Sequence, residues 1–420
     1  MILLYNVIMS YNYDIKTSQK DNHANRGLAF CHTFANVIDL FISTFLIAHL
    51  YQFSTSAYNY CFKAGLFELI SYSCMLLGYF IFSFLVAKTN RIWIYRLALL
   101  LRTLVVVFSV FYGEVIAQYI WLAGLLDGFS KGVYWSSYNV LKQEMVSRTS
   151  MSKFAVLTFV LQKSVSVVFP ITMGALIEIS TFSQVAIYVL VICAIQIAVS
   201  FVVKAKKPEN SNFDLVDYFK RLKQNPPMYF KVKSVYKVSI IYGTTSVLST
   251  LMSVCIMLQC GSNLSLGAIT SVVGVTVVLT AVLFSRFTKE GHRNSLYILS
   301  SLFPIIGVVL FVCLPSLTTV IIFNFCTAIP GTLFKVHYDI IRNRDLKEAG
   351  LYQDISEHQA VIEFILCFVR MITYALVVLL SFSNSQIIFD IMLIVFSILY
   401  ASNLIAMMIY EIKRNKNKLD

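Results

Sequence analysis

Charge is what this sequence has least of. Asp, Glu, Lys and Arg make up 13% of the 420 residues, where a soluble domain of average make-up carries about 25%. That shortage excludes an ordinary soluble globular chain. Other absences narrow the field further. The nine cysteines (Cys31, Cys61, Cys74, Cys193, Cys255, Cys260, Cys313, Cys326 and Cys367) include no C-x-x-C pair, so they read as small packing residues and not as a metal or disulfide framework. No G-x-x-x-x-G-K-[ST] loop is present to cradle phosphates, which argues against an ATP-driven pump. His32, His49 and His337 are neither clustered nor spaced as ligands, which argues against a membrane metalloenzyme. No repeated filter-like segment supports an ion channel. The expectation is therefore a protein that is not an enzyme and needs no metal or cofactor.

What is present in abundance is apolar: 58% hydrophobic and 14% aromatic residues, with a mean hydropathy of +0.74. A bilayer core of roughly 30 Å needs about 20 apolar residues per helical span. Runs of that kind fall near 28–52, 58–87, 92–112, 117–140, 153–178, 184–203, 236–259, 265–286, 294–314, 317–340, 357–381 and 385–411. Twelve spans are expected, in an all-α membrane protein. Short polar turns such as "QFSTSAYN" and "FSNSQ" alternate with loops rich in Lys and Arg, so every second loop is basic. By the positive-inside bias both termini are expected in the cytoplasm and the chain in the plasma membrane. The net charge of +13 then reads as a skirt facing anionic lipid, with no nucleic-acid partner implied. The first residues lack the layout of a cleavable signal peptide, and Met9 is as plausible a start as Met1.

The only long polar connection, "KAKKPENSNFDLVDYFKRLKQNPPMYFKVK", falls near the midpoint and divides six spans from six. The expected organisation is a tail over 1–27, a six-helix bundle over 28–203, a basic linker over 204–235, a second bundle over 236–411 and a tail over 412–420. Phe213, Val216, Phe219 and Leu222 fall at helical spacing, giving either a short amphipathic helix on the inner leaflet or a solvated linker with a few buried aromatics. A shift of 200 residues places "YNVLK" on "YDIIR", each ending a span and opening a basic loop, as in transporters built from repeated halves.

Twelve spans, a basic central loop and a half-chain repeat together resemble the major facilitator superfamily of secondary transporters. "GLLDGFSKGVYWSSYNVL" and "EFILCFVRMITYALVVL" are similar to a poorly characterised group of bacterial permeases within it. The family signature between the second and third spans, roughly G-x-L-a-D-r-x-G-R-r, is reduced here to "SFLVAKTNRIWIYR", in which Arg91 stands where a family Arg stands. The equivalent loop in the second half keeps Gly291 and Arg293.

Ionisable residues within the spans are the site candidates, because each costs at least about 2.5–3.5 kcal/mol in hydrocarbon. Asp39 lies about 16 Å into the first span, on one face with His32, Asn36 and Ser43. On the fourth span Asp127 and Lys131 are four residues apart and can neutralise each other. Gly124, Gly128, Gly132 and Ser136 form a small-residue track beside them, while Tyr134 and Tyr138 continue their stripe toward an expected cavity. In the resembled family the first, fourth, seventh and tenth spans line that cavity. Ser239, Tyr242, Ser246, Ser249 and Ser253 make a hydroxyl stripe on the seventh span. Asn324, Thr327, Gly331 and Lys335 do the same on the tenth, where "IPG" suggests a break or kink. Lys163 is a second possible partner for Asp39 or Asp127. Arg102, on a span that is peripheral in the family, reads as structural or snorkelling. Glu68 and Arg370 sit at comparable depth on spans that meet at the junction of the halves in the family, so they are candidates for a gate. Ser356 and Gln359 have capping-box spacing at the start of the eleventh span.

The expected function is alternating-access secondary transport, coupled to protons, with efflux of small amphipathic compounds ahead of nutrient uptake or lipid-precursor flipping. The competing reading is a non-transporting sensor or immunity protein on a degenerate transporter scaffold. The chain is expected to work as a monomer, with a small-molecule substrate and membrane lipid as its partners.

Overall fold

A computed structural model describes residues 19–146, 151–204, 213–287, 293–349 and 355–416. Among them every regular element is a helix. Eleven helices are long and apolar enough to cross a membrane. A twelfth, Ile120–Met145, misses that measure because its own sequence is diluted by Gly, Ser and charge. It lies in the fourth position, packed along Ala57–Lys88. Twelve crossings return the chain to the face it started from, the terminus-bearing face.

The expected spans match the helices closely in the middle of each half. The second is Ala57–Lys88, the third Arg91–Tyr112, the fifth Met151–Ile179 and the eighth Asn263–Phe287. The ends differ where a helix continues past the apolar run. The first helix begins at Gln19, inside the expected tail, and the tenth extends from Leu317 to Ala349. Pro330 lies inside that tenth helix, so of the break or kink expected at "IPG" the break does not occur. Neighbouring helices support a backbone group freed by proline at this depth. The eleventh helix is already under way at Ile355, which puts Ser356 inside it; any cap falls outside the described residues, as do Met9 and Gly291. A complete capping box is found instead at the sixth helix, where Thr181 and Gln184 satisfy each other's backbone amides.

Two spans are interrupted, at corresponding places in the two halves. The first runs as an α-helix to Leu40, turns π over Phe41–Leu46 and ends in 3-10 geometry at Phe53. The seventh is split at Thr244 into Pro226–Gly243 and Thr245–Cys260. Interrupted helices at matching positions in a repeat are where such folds bind, and π segments are frequent at functional sites.

The linker contains a helix, Leu215–Gln224, capped by Asp214, whose carboxylate accepts from the amides of Val216 and Asp217 at 2.9 and 3.0 Å. Its protein-facing side takes only Leu222 of the spaced apolar residues Val216, Phe219 and Leu222. Val216 and Phe219 are exposed, whereas Tyr218 and Leu222 pack against Val232 and Val361 of the seventh and eleventh spans. Tyr218 also shares its hydroxyl with Tyr236 at 2.8 Å and with His358 at 3.1 Å. Tyr218 is the anchor that docks the helix onto the second half.

The apolar core is asymmetric across the membrane. On the side away from the termini one continuous cluster joins both halves, from Phe41, Phe45 and Phe67 to Val247, Leu251 and Met257. On the terminus-bearing side the core splits. Leu28, Tyr95 and Leu141 form one cluster within the first half, and Val238, Leu333 and Met407 another within the second. The buried apolar core runs across both halves on one side and is divided on the other.

Candidate functional site

The tightest helix packing in the first half creates the site. The small-residue track of the fourth helix lies on the second: a β-carbon added at Gly128 would stand 1.9 Å from the Ser71 carbonyl oxygen, and one at Gly132 would stand 2.4 Å from that of Met75. Backbones this close bring Asp127 within reach of the Ser71 hydroxyl, which donates to it at 2.7 Å. Lys131 donates to the same carboxylate at 2.7 Å, so the expected i,i+4 pair is made.

The first helix adds Asp39, just ahead of its π turn. Arg102 of the third helix donates to Asp39 at 2.7 Å and to the Ala35 carbonyl at 3.1 Å. Lys131 is 3.9 Å from the same Asp39 oxygen. Two carboxylates, Asp39 and Asp127, are thus bridged by two cations, Arg102 and Lys131. Pairing makes the burial of four charges tolerable; removing one member would leave an uncompensated charge. Exposure separates them, since Asp127 and Arg102 are sealed at 1% while Asp39 and Lys131 are 26% and 15% exposed.

Arg102 is therefore a core member of the cluster and not a snorkelling residue. Sequence spacing hid this, because its partner lies 63 positions away. Lys163 corrects the opposite expectation. It pairs with neither Asp39 nor Asp127 and lies 5.8 Å from the Phe159 ring. Tyr134 and Tyr138 also depart from the expected cavity lining. They are buried inside the first half, where His32 stacks on Tyr138 at 4.1 Å and shares a hydrogen bond with the Tyr134 hydroxyl at 2.8 Å. His32 is sealed with them, and the Asn36 side-chain nitrogen is buried without a partner. In the signature-poor loop, Arg91 is buried and ion-paired to Glu144 at the end of the fourth helix.

The second half offers aromatic and hydroxyl groups to the cleft. Tyr242 is partly exposed and stacks on Tyr338 at 4.4 Å, and Ser239 is buried in a 2.9 Å bond to the Tyr338 hydroxyl. The Ser246 carbonyl accepts from Tyr374 at 3.1 Å. Asn324 is buried and bonded to its own helix at Val320, whereas Lys335 is exposed. The expected stripes thus divide, with only part of each facing the cleft.

At the junction, the second and eleventh helices meet along their length in ring contacts: Phe62 on Phe382, Tyr72 on Tyr374 and Phe80 on Phe364. Glu68 and Arg370 lie on these facing surfaces but form no ion pair. Glu68 is 5% exposed, and the Arg370 guanidinium lies 5.0 Å from the centre of the Tyr72 ring. Among the described residues, no group of three His, Cys, Asp or Glu stands together as a metal site, and all nine cysteines are free.

No protein-family model and no curated protein matches the sequence. The fold does match solved structures. A POT family transporter crystallised with 5-aminolevulinic acid is 9% identical with a TM-score of 0.65, over 93% of this chain and 96% of that one. The human organic anion transporter MFSD10 (TETRAN) is 12% identical with a TM-score of 0.58, over 92% of this chain and 99% of that one. The chain shares the fold of these two transporters, and eleven of its described helices are long and apolar enough to cross a membrane.

Proposed function

We propose that the chain is a secondary transporter working by alternating access, held here with its central cleft open to the terminus-bearing face. The observation that carries this reading is the asymmetric core, continuous across the halves on one side and divided on the other. A scaffold with no cycle to perform has no reason to leave charges at mid-depth partly open to water, yet Asp39 and Lys131 are so placed. With the basic loops facing the cytoplasm, this is an inward-facing state in the plasma membrane.

Protons are proposed as the coupling ion, with Asp39 the group that accepts them. It is the cluster carboxylate that water in the cleft reaches, and it shares Lys131 with Asp127. Protonation of Asp39 would hand Lys131 wholly to Asp127 and loosen the tie of the first helix to the third and fourth. A two-state element is biased only by an interaction that differs between its states, and this one differs by an ion pair. Efflux of small amphipathic compounds fits a cleft that joins charges to tyrosine and phenylalanine rings.

The test is accessibility from each side. In a cysteine-free background, a single cysteine at Tyr242 should react with a membrane-impermeant maleimide applied to the terminus-bearing face. One at Leu251, in the sealed cluster, should react from the opposite face only while a proton gradient drives cycling. If neither position ever changes its accessible side, the alternating-access reading fails.

A further inference from the structure

We propose that Arg370 is the recognition point for a carboxylate or phosphate group on the substrate, so that the cleft selects organic anions carrying an apolar body. The proposal rests on the transporter reading and narrows its substrate class. Three observations carry it. First, the charge cluster of the first half is internally matched, with Asp39 and Asp127 against Arg102 and Lys131, and so leaves no net demand for a partner. Arg370 is matched by nothing. It makes no ion pair among the described residues, and its Nε is buried without a hydrogen-bond acceptor. A guanidinium has five donors in a planar fork that suits carboxylate and phosphate oxygens two at a time.

Second, the acids within electrostatic reach of Arg370 do not occupy it. Glu68 is sealed on the second helix. Glu363 is seven residues back along Arg370's own helix, a separation of about 10 Å by helical rise. Arg370 is partly exposed as a residue, and its guanidinium lies 5.0 Å from the centre of the Tyr72 ring. A ring beneath a guanidinium fixes its plane while leaving its edge donors free for an incoming anion.

Third, two further cations add to the same field. Lys163 from the first half and Lys335 from the second stand within electrostatic reach of one another, like charge acting on like charge. An anion between the halves replaces that repulsion with attraction to both, so its binding favours closure on the terminus-bearing side. When the anion leaves on the far side, Glu68 on the facing helix is available to take Arg370, which resets the site.

The experiment uses the full chain in lipid nanodiscs and matched probes: 4-phenylbutyrate, phenyl phosphate, 4-phenylbutyramide and phenethylammonium. Thermal stabilisation should follow the two anions and be absent with the amide and the cation. Arg370→Gln should weaken anion binding about tenfold or more, as loss of a charge-assisted hydrogen-bond pair implies. Arg370→Lys should recover part of it. Stabilisation by the cation or the amide as strong as by the anions overturns the proposal, as does anion binding that survives Arg370→Gln unchanged, or no anion effect up to millimolar concentration. Should Arg370→Gln not fold, Tyr72→Leu, which removes the ring under the guanidinium, must weaken the anions selectively. Flux in proteoliposomes separates this from the wider reading. Anions that bind through Arg370 but never cross defeat the transporter reading alone; cations that cross with Arg370 dispensable defeat the anion site alone.

Discussion

The Arg102 guanidinium donates to the Asp39 carboxylate at 2.7 Å and ties the third helix to the first just ahead of the π turn. Arg102→Met leaves Asp39 with Lys131 alone, at 3.9 Å. The expected loss is about 3–5 kcal/mol, the scale for stripping one partner from a buried pair. Adding Asp39→Leu to Arg102→Met should restore much of the folded yield, measured by fluorescence-detected size exclusion.

Asp39→Asn keeps the shape of the side chain but cannot cycle a proton. Uphill, proton-driven movement of a transported anion in proteoliposomes should be abolished, while exchange of that anion across the membrane persists. Uphill transport at the parental rate would remove Asp39 from the coupling.

Asp127 and Lys131 should show strong non-additivity. Asp127→Asn and Lys131→Met each leave a charge at depth, whereas the double variant leaves none. The double variant is expected to melt above the Asp127→Asn single variant. Strictly additive losses would show that the 2.7 Å contact contributes little.

Gly128→Ala tests the close approach beneath that pair. Its new methyl group would stand 1.9 Å from the Ser71 carbonyl, so the second and fourth helices must part. Overpacking of this kind costs about 1–3 kcal/mol, and parting also lengthens the Ser71 bond to Asp127. Unchanged thermal stability would mean that the backbones yield easily.

Phe62→Cys with Phe382→Cys places a thiol pair at the sealed face, where the parent rings are 4.9 Å apart between centres. Oxidation in a cysteine-free background should trap the form open to the terminus-bearing side and stop transport, with recovery on reduction. Transport by the fully cross-linked protein would show that this face need not open.

The sequence made some of this legible and hid the rest for physical reasons. Apolar runs and alternating basic loops carry the fold, because the bilayer imposes length and composition on every span. The Asp127–Lys131 pair and the glycine track were readable because both depend on spacing within one helix. Arg102 was not, since nothing local tells a buried arginine whether its carboxylate lies 63 positions back or nowhere. Tyr134 and Tyr138 were placed at the cavity because a stripe reveals direction round a helix but not which neighbour covers it. The docking of Tyr218 on His358 likewise joins positions 140 apart.

The ring pairs along the second and eleventh helices have a mechanical consequence. Phe62–Phe382, Tyr72–Tyr374 and Phe80–Phe364 run from the sealed face past the middle into the side where the halves part. Flat rings make no directional bond that must break when they slide, so this seam behaves as a bearing, the line along which the halves stay in touch while they tilt. In the proposed alternating-access cycle its friction then governs the rate of turnover, independently of which end of the stroke is preferred. Trimming one ring pair should change the frequency of the stroke, and reshaping the charge cluster should change its resting position.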